Sequence, residues 1–239
     1  MKQKFPILFN SVEAVNAKKH KNIKFHNRID FSYTKDVHFI PTVLGEVPHL
    51  TNTYPIALAP TEDEGVMLVV VLGMVEGKNG YLDSENKWMA DYIPAYVQRY
   101  PFISIRASDG KEGEKVLCLD KKAPHFSVKK GERLFDEKNS PSELLKHYLR
   151  IVEEYDFSET QTREFCQDIQ DSNILEDWQE SSEHGSIKFK RINVNALQNL
   201  SGDKIADWHK KGYLTSILNI VQSQRSWREL DARLNATKA

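Results

Sequence analysis

GERLFDEKNSPSE, residues 131–143, marks the point where the apolar spacing of this chain changes from a period of two to one near 3.6. Ser140-Pro141-Ser142-Glu143 supplies an N-cap serine, a proline at the first helical position and a glutamate three residues after the cap. Leu144, Leu145, Tyr148, Leu149, Val152 and Tyr155 follow at helical spacing. Ser158 with Gln161 repeats the capping pattern before Phe165 and Ile169; after a break at Asn173, Leu175 and Trp178 extend the helical series. SIKFKRINV, residues 186–194, alternates and reads as a returning strand. Ser201 opens a helix with Ile205 and Trp208, closed by Lys210 and Lys211 before Gly212. Leu214, Ile217, Leu218 and Val221 form another helix. Ser226 and Glu229 cap a last amphipathic segment with Leu230 and Leu234.

On the other side of residue 131 the chain reads as strands. YPIALAP (54–60) and VMLVVVLGMV (66–75) are separated by the acidic turn TEDEG, and DSENK (83–87) turns between GYL and WMA. FISIRA (102–107) and KVLCLD (115–120) flank Asp109-Gly110, a hairpin signal. The expected class is α+β, with an antiparallel-rich sheet from the N-terminal half packed against helices of the C-terminal half. A single domain over residues 1–239 is expected, strand-rich over 1–135 and helix-rich over 140–239. The strand at 186–194 stands alone in its half and needs partners from the first half.

The 239 residues are 40% hydrophobic and 28% charged, as in an ordinary globular protein. A formal charge of −1 gives no electrostatic reason to expect nucleic acid or an anionic membrane as partner. The basic cluster AKKHKNIK, residues 17–24, reads as a solvated loop or strand end. The apolar patch near the N-terminus is broken by Pro6, short of the roughly 7–15 residues of a secretory core. The run at 66–75 is far below the roughly 20 residues of a membrane span. A cytoplasmic location is expected, with surface association by a non-classical route left open.

Cys118, Asp120 and His125 lie within CLDKKAPHF, and a Cys/His pair is a candidate nucleophile and base. Alternation places Cys118 and Asp120 on one strand face, where the acid disfavours the thiolate. Cys166 sits beside Phe165 and reads as core. DSENK lacks the glycine and later ligands of a calcium loop. The eight histidines form no H-x-x-x-H pair, and no phosphate or dinucleotide motif occurs, so neither a metal nor a cofactor is expected.

YIPAYVQRYPF, residues 92–102, is the most compressed stretch. Pro94 and Pro101 frame a predicted helix of about two turns. On it Tyr96 and Tyr100 share a face, with Arg99 beside Tyr96. Two readings stay open: a Tyr/Arg surface for an aromatic, anionic or peptide ligand, and a short helix that locks the sheet, with Arg99 satisfying carbonyls or an acid. Trp88, Tyr92, Tyr96, Arg99 and Tyr100 are the candidate binding residues.

The stretch GMVEGKNGYLDSENKWMADYIPAYVQRYPFI, residues 73–103, resembles the core of the bacterial SapC family, named after a surface-layer protein. The resemblance continues through VLCLD, LFDEKNSPSELL, TREFCQDIQDSNILE and the C-terminal block from Phe189 to Leu230. It implies a non-enzymatic accessory or binding protein, linked to a surface layer or to peptide or small-molecule handling. Its expected partner is a protein, a peptide or a small molecule. The family's association with flavin-dependent halogenase gene neighbourhoods implies the alternative, an enzyme acting on a peptide or amino-acid substrate. The resemblance carries over no catalytic residue.

Overall fold

The computed structural model describes residues 6–27, 30–106, 115–182 and 185–236. Its first half holds β1 (Val12–Ala14), β2 (Lys24–Phe25), β3 (Phe39–Pro41), α1 (Val47–Leu50), β4 (Ile56–Pro60), β5 (Val66–Val71) and α2 (Ala95–Gln98). β6 (Phe102–Arg106), β7 (Lys115–Asp120), β8 (Phe126–Ser127) and β9 (Glu132–Arg133) follow. Then come α3 (Glu143–Asp171), β10 (Leu175–Ser182), β11 (Gly185–Ile192), α4 (Val194–Gln198), α5 (Gly202–Lys210), α6 (Tyr213–Ser223) and α7 (Ser226–Ala236).

The strands form antiparallel sheets in the orders β10-β11-β4-β5-β3, β1-β7-β6 and β8-β2-β9. β5 lies between β4, with Leu58 opposite Leu68, and β3, with Ile40 opposite Val70. Leu68 to Val71 are buried, so the strand reads as an unbroken apolar run rather than an alternating one. α3 packs on β5 and β6, while α6 packs against β4 and β11. The architecture is α+β, with sheets mainly from the first half and helices mainly from the second.

Three expectations need correction. α3 starts at Glu143, capped by Ser142, whose hydroxyl accepts the Leu145 N–H at 3.3 Å; Pro141 pairs with Phe135 outside the helix. Ser158 does not begin a second helix. Leu145, Val152, Tyr155, Thr162, Phe165 and Ile169 keep one buried stripe in phase across it, so α3 continues for 29 residues. It ends at Asp171, just before the expected break at Asn173, which takes φ 53°. Leu175 and Trp178 then belong to a strand. β10 pairs along its length with β11, placing Leu175 opposite Ile192 and Trp178 opposite Phe189, and this pairing overrides local spacing.

The strand expected near 186–194 is β11, and it sets Lys190 against Leu58 of β4. Asp83 accepts the N–H groups of Glu85 and Lys87 in the expected turn, with Asn86 at φ 60°. Asp109-Gly110 lies outside the described residues, but β6 and β7 pair antiparallel on either side of it.

Candidate functional site

Residues 92–102 fold differently from the expected two-turn helix. Pro94 takes ψ 139° and stands before the helix, and α2 is one turn long. Pro101 disfavours helical geometry at Tyr100 and stops it there. Glu46 holds the start of α2: its buried carboxylate accepts the Ala95 N–H and, at 2.6 Å, the Thr42 hydroxyl. Burial raises the Glu46 pKa, partly offset by the bonds from Thr42, Ala95 and Tyr92. This acid fixes the backbone from which Arg99 departs.

The five candidate residues go to three places. Trp88 donates its indole N–H to the Tyr54 hydroxyl at 2.7 Å, and Tyr54 donates to the Tyr92 carbonyl. The Tyr92 ring stacks on His49 at 5.4 Å. Tyr100 faces the other way, against Phe9, Tyr33 and His125. The expectation that Tyr96 and Tyr100 share a helix face does not hold, because the helix stops between them.

Tyr96 and Arg99 form the third group with Tyr155 of α3. The Arg99 Cζ lies 4.3 Å from the Tyr96 ring centroid and 4.0 Å from that of Tyr155. Arg99 is 5% exposed, and its Nε has no hydrogen-bond partner. Among the described residues no carboxylate lies within 4.0 Å of its guanidinium. Tyr96 donates its hydroxyl to the Ile7 carbonyl at 3.0 Å; burial raises its pKa, and the Arg99 charge opposes this.

These side chains line a cleft of ≈ 840 Å³ between α3, the β1-β7-β6 sheet and the ends of β3 and β5. That volume falls within the range of small-molecule sites, about 300–1,000 Å³. Ile7, Val66, Met67, Leu68, Ile103 and Ile105 supply apolar wall, and Glu13, Asp156, Glu159 and Arg163 add charge. A SapC family model matches residues 15–230, which include every one of these elements except the N-terminal segment and β1. The chain belongs to the SapC family. No curated protein and no solved structure matches it.

In this SapC-family chain the two cysteines share the cleft wall, Cys118 from β7 and Cys166 from α3. Burial raises both thiol pKa values, that of Cys166 to about 12. Cys118 donates to the Val116 carbonyl at 3.5 Å. Cys118 is therefore expected to label with a thiol reagent at pH 7 at least about tenfold more slowly than a free cysteine, since the thiolate is the reacting form. Labelling at the free rate would restore it as a nucleophile. His125 is buried, stacked on Phe25 at 5.6 Å. Asp120 is fully buried and accepts three backbone N–H groups.

Sequence reasoning missed Tyr155, which reads only as one more apolar position of α3, and the β-strand residues of the cleft wall. Their shared role appears only when the sheets and α3 meet. Among the described residues no group of His, Cys, Asp or Glu is placed to hold a metal ion, and no helix is long and apolar enough to cross a membrane.

Proposed function

We propose that this SapC-family protein is a non-enzymatic accessory protein that works by holding a small molecule in the Arg99 cleft. One observation carries the reading: a buried arginine lines a ligand-sized space, and among the described residues no carboxylate lies within 4.0 Å of it. Desolvating a cation costs several kcal/mol. Two tyrosine faces return about 2 kcal/mol or more each, and an anionic ligand supplies what is missing. The family's surface-layer name and its link to peptide or small-molecule handling fit a carrier or sensor acting in the cytoplasm. The raised thiol pKa values weigh against the alternative of a Cys118-based enzyme.

Native purification followed by mass spectrometry of the denatured extract tests this. The full chain is expected to retain a small molecule near one equivalent, and Arg99→Ala to retain less than about a tenth of that while staying folded. Arg99→Met is the companion variant, because an apolar side chain of similar length leaves the tyrosines packed. It is expected to melt within about 3 °C of the parent chain or above it. An empty parent chain, or variants that melt far lower, would show that Arg99 is a structural element instead.

A further inference from the structure

We infer that the Arg99 cleft selects an amphipathic monocarboxylate, whose carboxylate meets the guanidinium and whose apolar body lies along the β5 and β6 walls. This rests on the binding role proposed above and adds the chemistry of the ligand.

The first argument is charge. Three acids line the cleft, and each already holds a cation. Glu13 pairs with Lys19 at 2.6 Å and His20 at 2.8 Å, Asp156 with Lys115 at 3.0 Å, and Glu159 with Arg163 at 3.5 Å. Arg99 stands apart, with no ion pair among the described residues. One unmatched positive charge asks for one negative charge.

The second argument is shape. The Tyr96 and Tyr155 ring centroids lie 4.3 and 4.0 Å from the Arg99 Cζ and 5.9 Å from each other, so the two rings stand roughly at a right angle about the guanidinium. A guanidinium presents parallel pairs of N–H donors, which match the two oxygens of a carboxylate. The third is the wall. Ile7, Met67, Leu68, Ile103 and Ile105 offer no polar side chain to a ligand, and ≈ 840 Å³ is far more than a carboxylate alone fills. The ligand body is therefore apolar and of roughly ten or more heavy atoms.

Decanoate, decanol, decyl phosphate and an N-acetylated apolar tetrapeptide amide, each below its micellar concentration, are the probes for calorimetric titration into the full chain. Decanoate is expected to bind best. Arg99→Met is expected to weaken decanoate about 10–100-fold, the loss of charge-assisted bonds, and to change decanol by less than about threefold. A second measurement needs no variant: the carboxyl carbon of bound [1-¹³C]decanoate is expected to titrate at lower pH than free decanoate, because a neighbouring cation favours the ionised form.

Equal binding of decanol and decanoate, tighter binding of the phosphate or the peptide, no binding of any probe, or a bound carboxyl that titrates at or above the free value would each overturn the inference. Native extraction separates this failure from that of the binding role. A retained molecule of another class removes only the monocarboxylate, whereas an empty protein that also ignores every probe removes both.

Discussion

Asp120→Ala is expected to cost about 3–5 kcal/mol of folding stability and to lower the melting temperature by roughly 10 °C. Its carboxylate is 0% exposed and accepts the N–H of Asn10 at 2.7 Å, of Ser11 at 3.0 Å and of Lys122 at 3.0 Å. The Tyr100 hydroxyl donates to it as well, at 3.3 Å. Alanine leaves these donors without an acceptor, and each such group costs about 1–3 kcal/mol when buried. Water and relaxation of the N-terminal segment recover part of the sum. In a chain of this size each kcal/mol moves the melting temperature by about 2–4 °C.

The cleft feels the same change. Asn10 and Ser11 join Ile7 to Val12, and both of those residues line the cavity. Under the binding role proposed above, Asp120→Ala is therefore expected to retain less small molecule even in the fraction that stays folded. Thermal melts with and without ligand measure both effects. A fall below about 2 °C would mean that the freed donors find other acceptors and that Asp120 is no tether.

Gly73→Ala is expected to destabilise the chain by about 3 kcal/mol or more and to leave most of it insoluble. A Cβ at Gly73 would stand 1.7 Å from the Lys78 carbonyl oxygen and 2.9 Å from its carbon. Neither side yields easily. The Gly73 N–H is bonded to the His38 carbonyl at 3.0 Å, and the Gly80 N–H to that of Leu72 at 2.7 Å. Overpacking against side chains costs about 1–3 kcal/mol, and backbone gives way less readily. Gly202→Ala is the control, since nothing lies within 4 Å of a Cβ there. Urea unfolding compares the two variants; equal midpoints would mean that the loop from Gly73 to Gly80 is not tightly closed. Gly73 opens the stretch that carries the SapC resemblance, and close backbone approach is a physical reason for a glycine at that place.

Local chemistry made much of this fold readable. The acidic turn between β4 and β5, the serine before α5 and Gly212 at φ 75° after it all stand where the sequence places them. β10 was not legible, because LEDWQESS is rich in acids that suit a strand poorly and carries its apolar residues three apart. Only its partner β11 makes it a strand. Ser158 misled for the opposite reason: a capping pattern inside a helix is harmless when the buried stripe runs on in phase. Of the site, Tyr96 and Arg99 were singled out by their crowding between prolines. The cleft itself draws on β1, β3, β5, β6, β7 and α3, which no local pattern connects.

The strand order β10-β11-β4-β5-β3 has a consequence for synthesis on the ribosome. β4 and β5 emerge early and can close their hairpin at once. The far side of β4 stays an open hydrogen-bonding edge until β11 appears more than 120 residues later. For that interval Ile56, Ala57, Leu58 and Ala59, all buried in the finished protein, present an apolar template to any neighbouring chain. Crowded polysomes are therefore where this sequence runs its greatest risk of misassembly, and a fragment ending before residue 185 would carry that risk permanently.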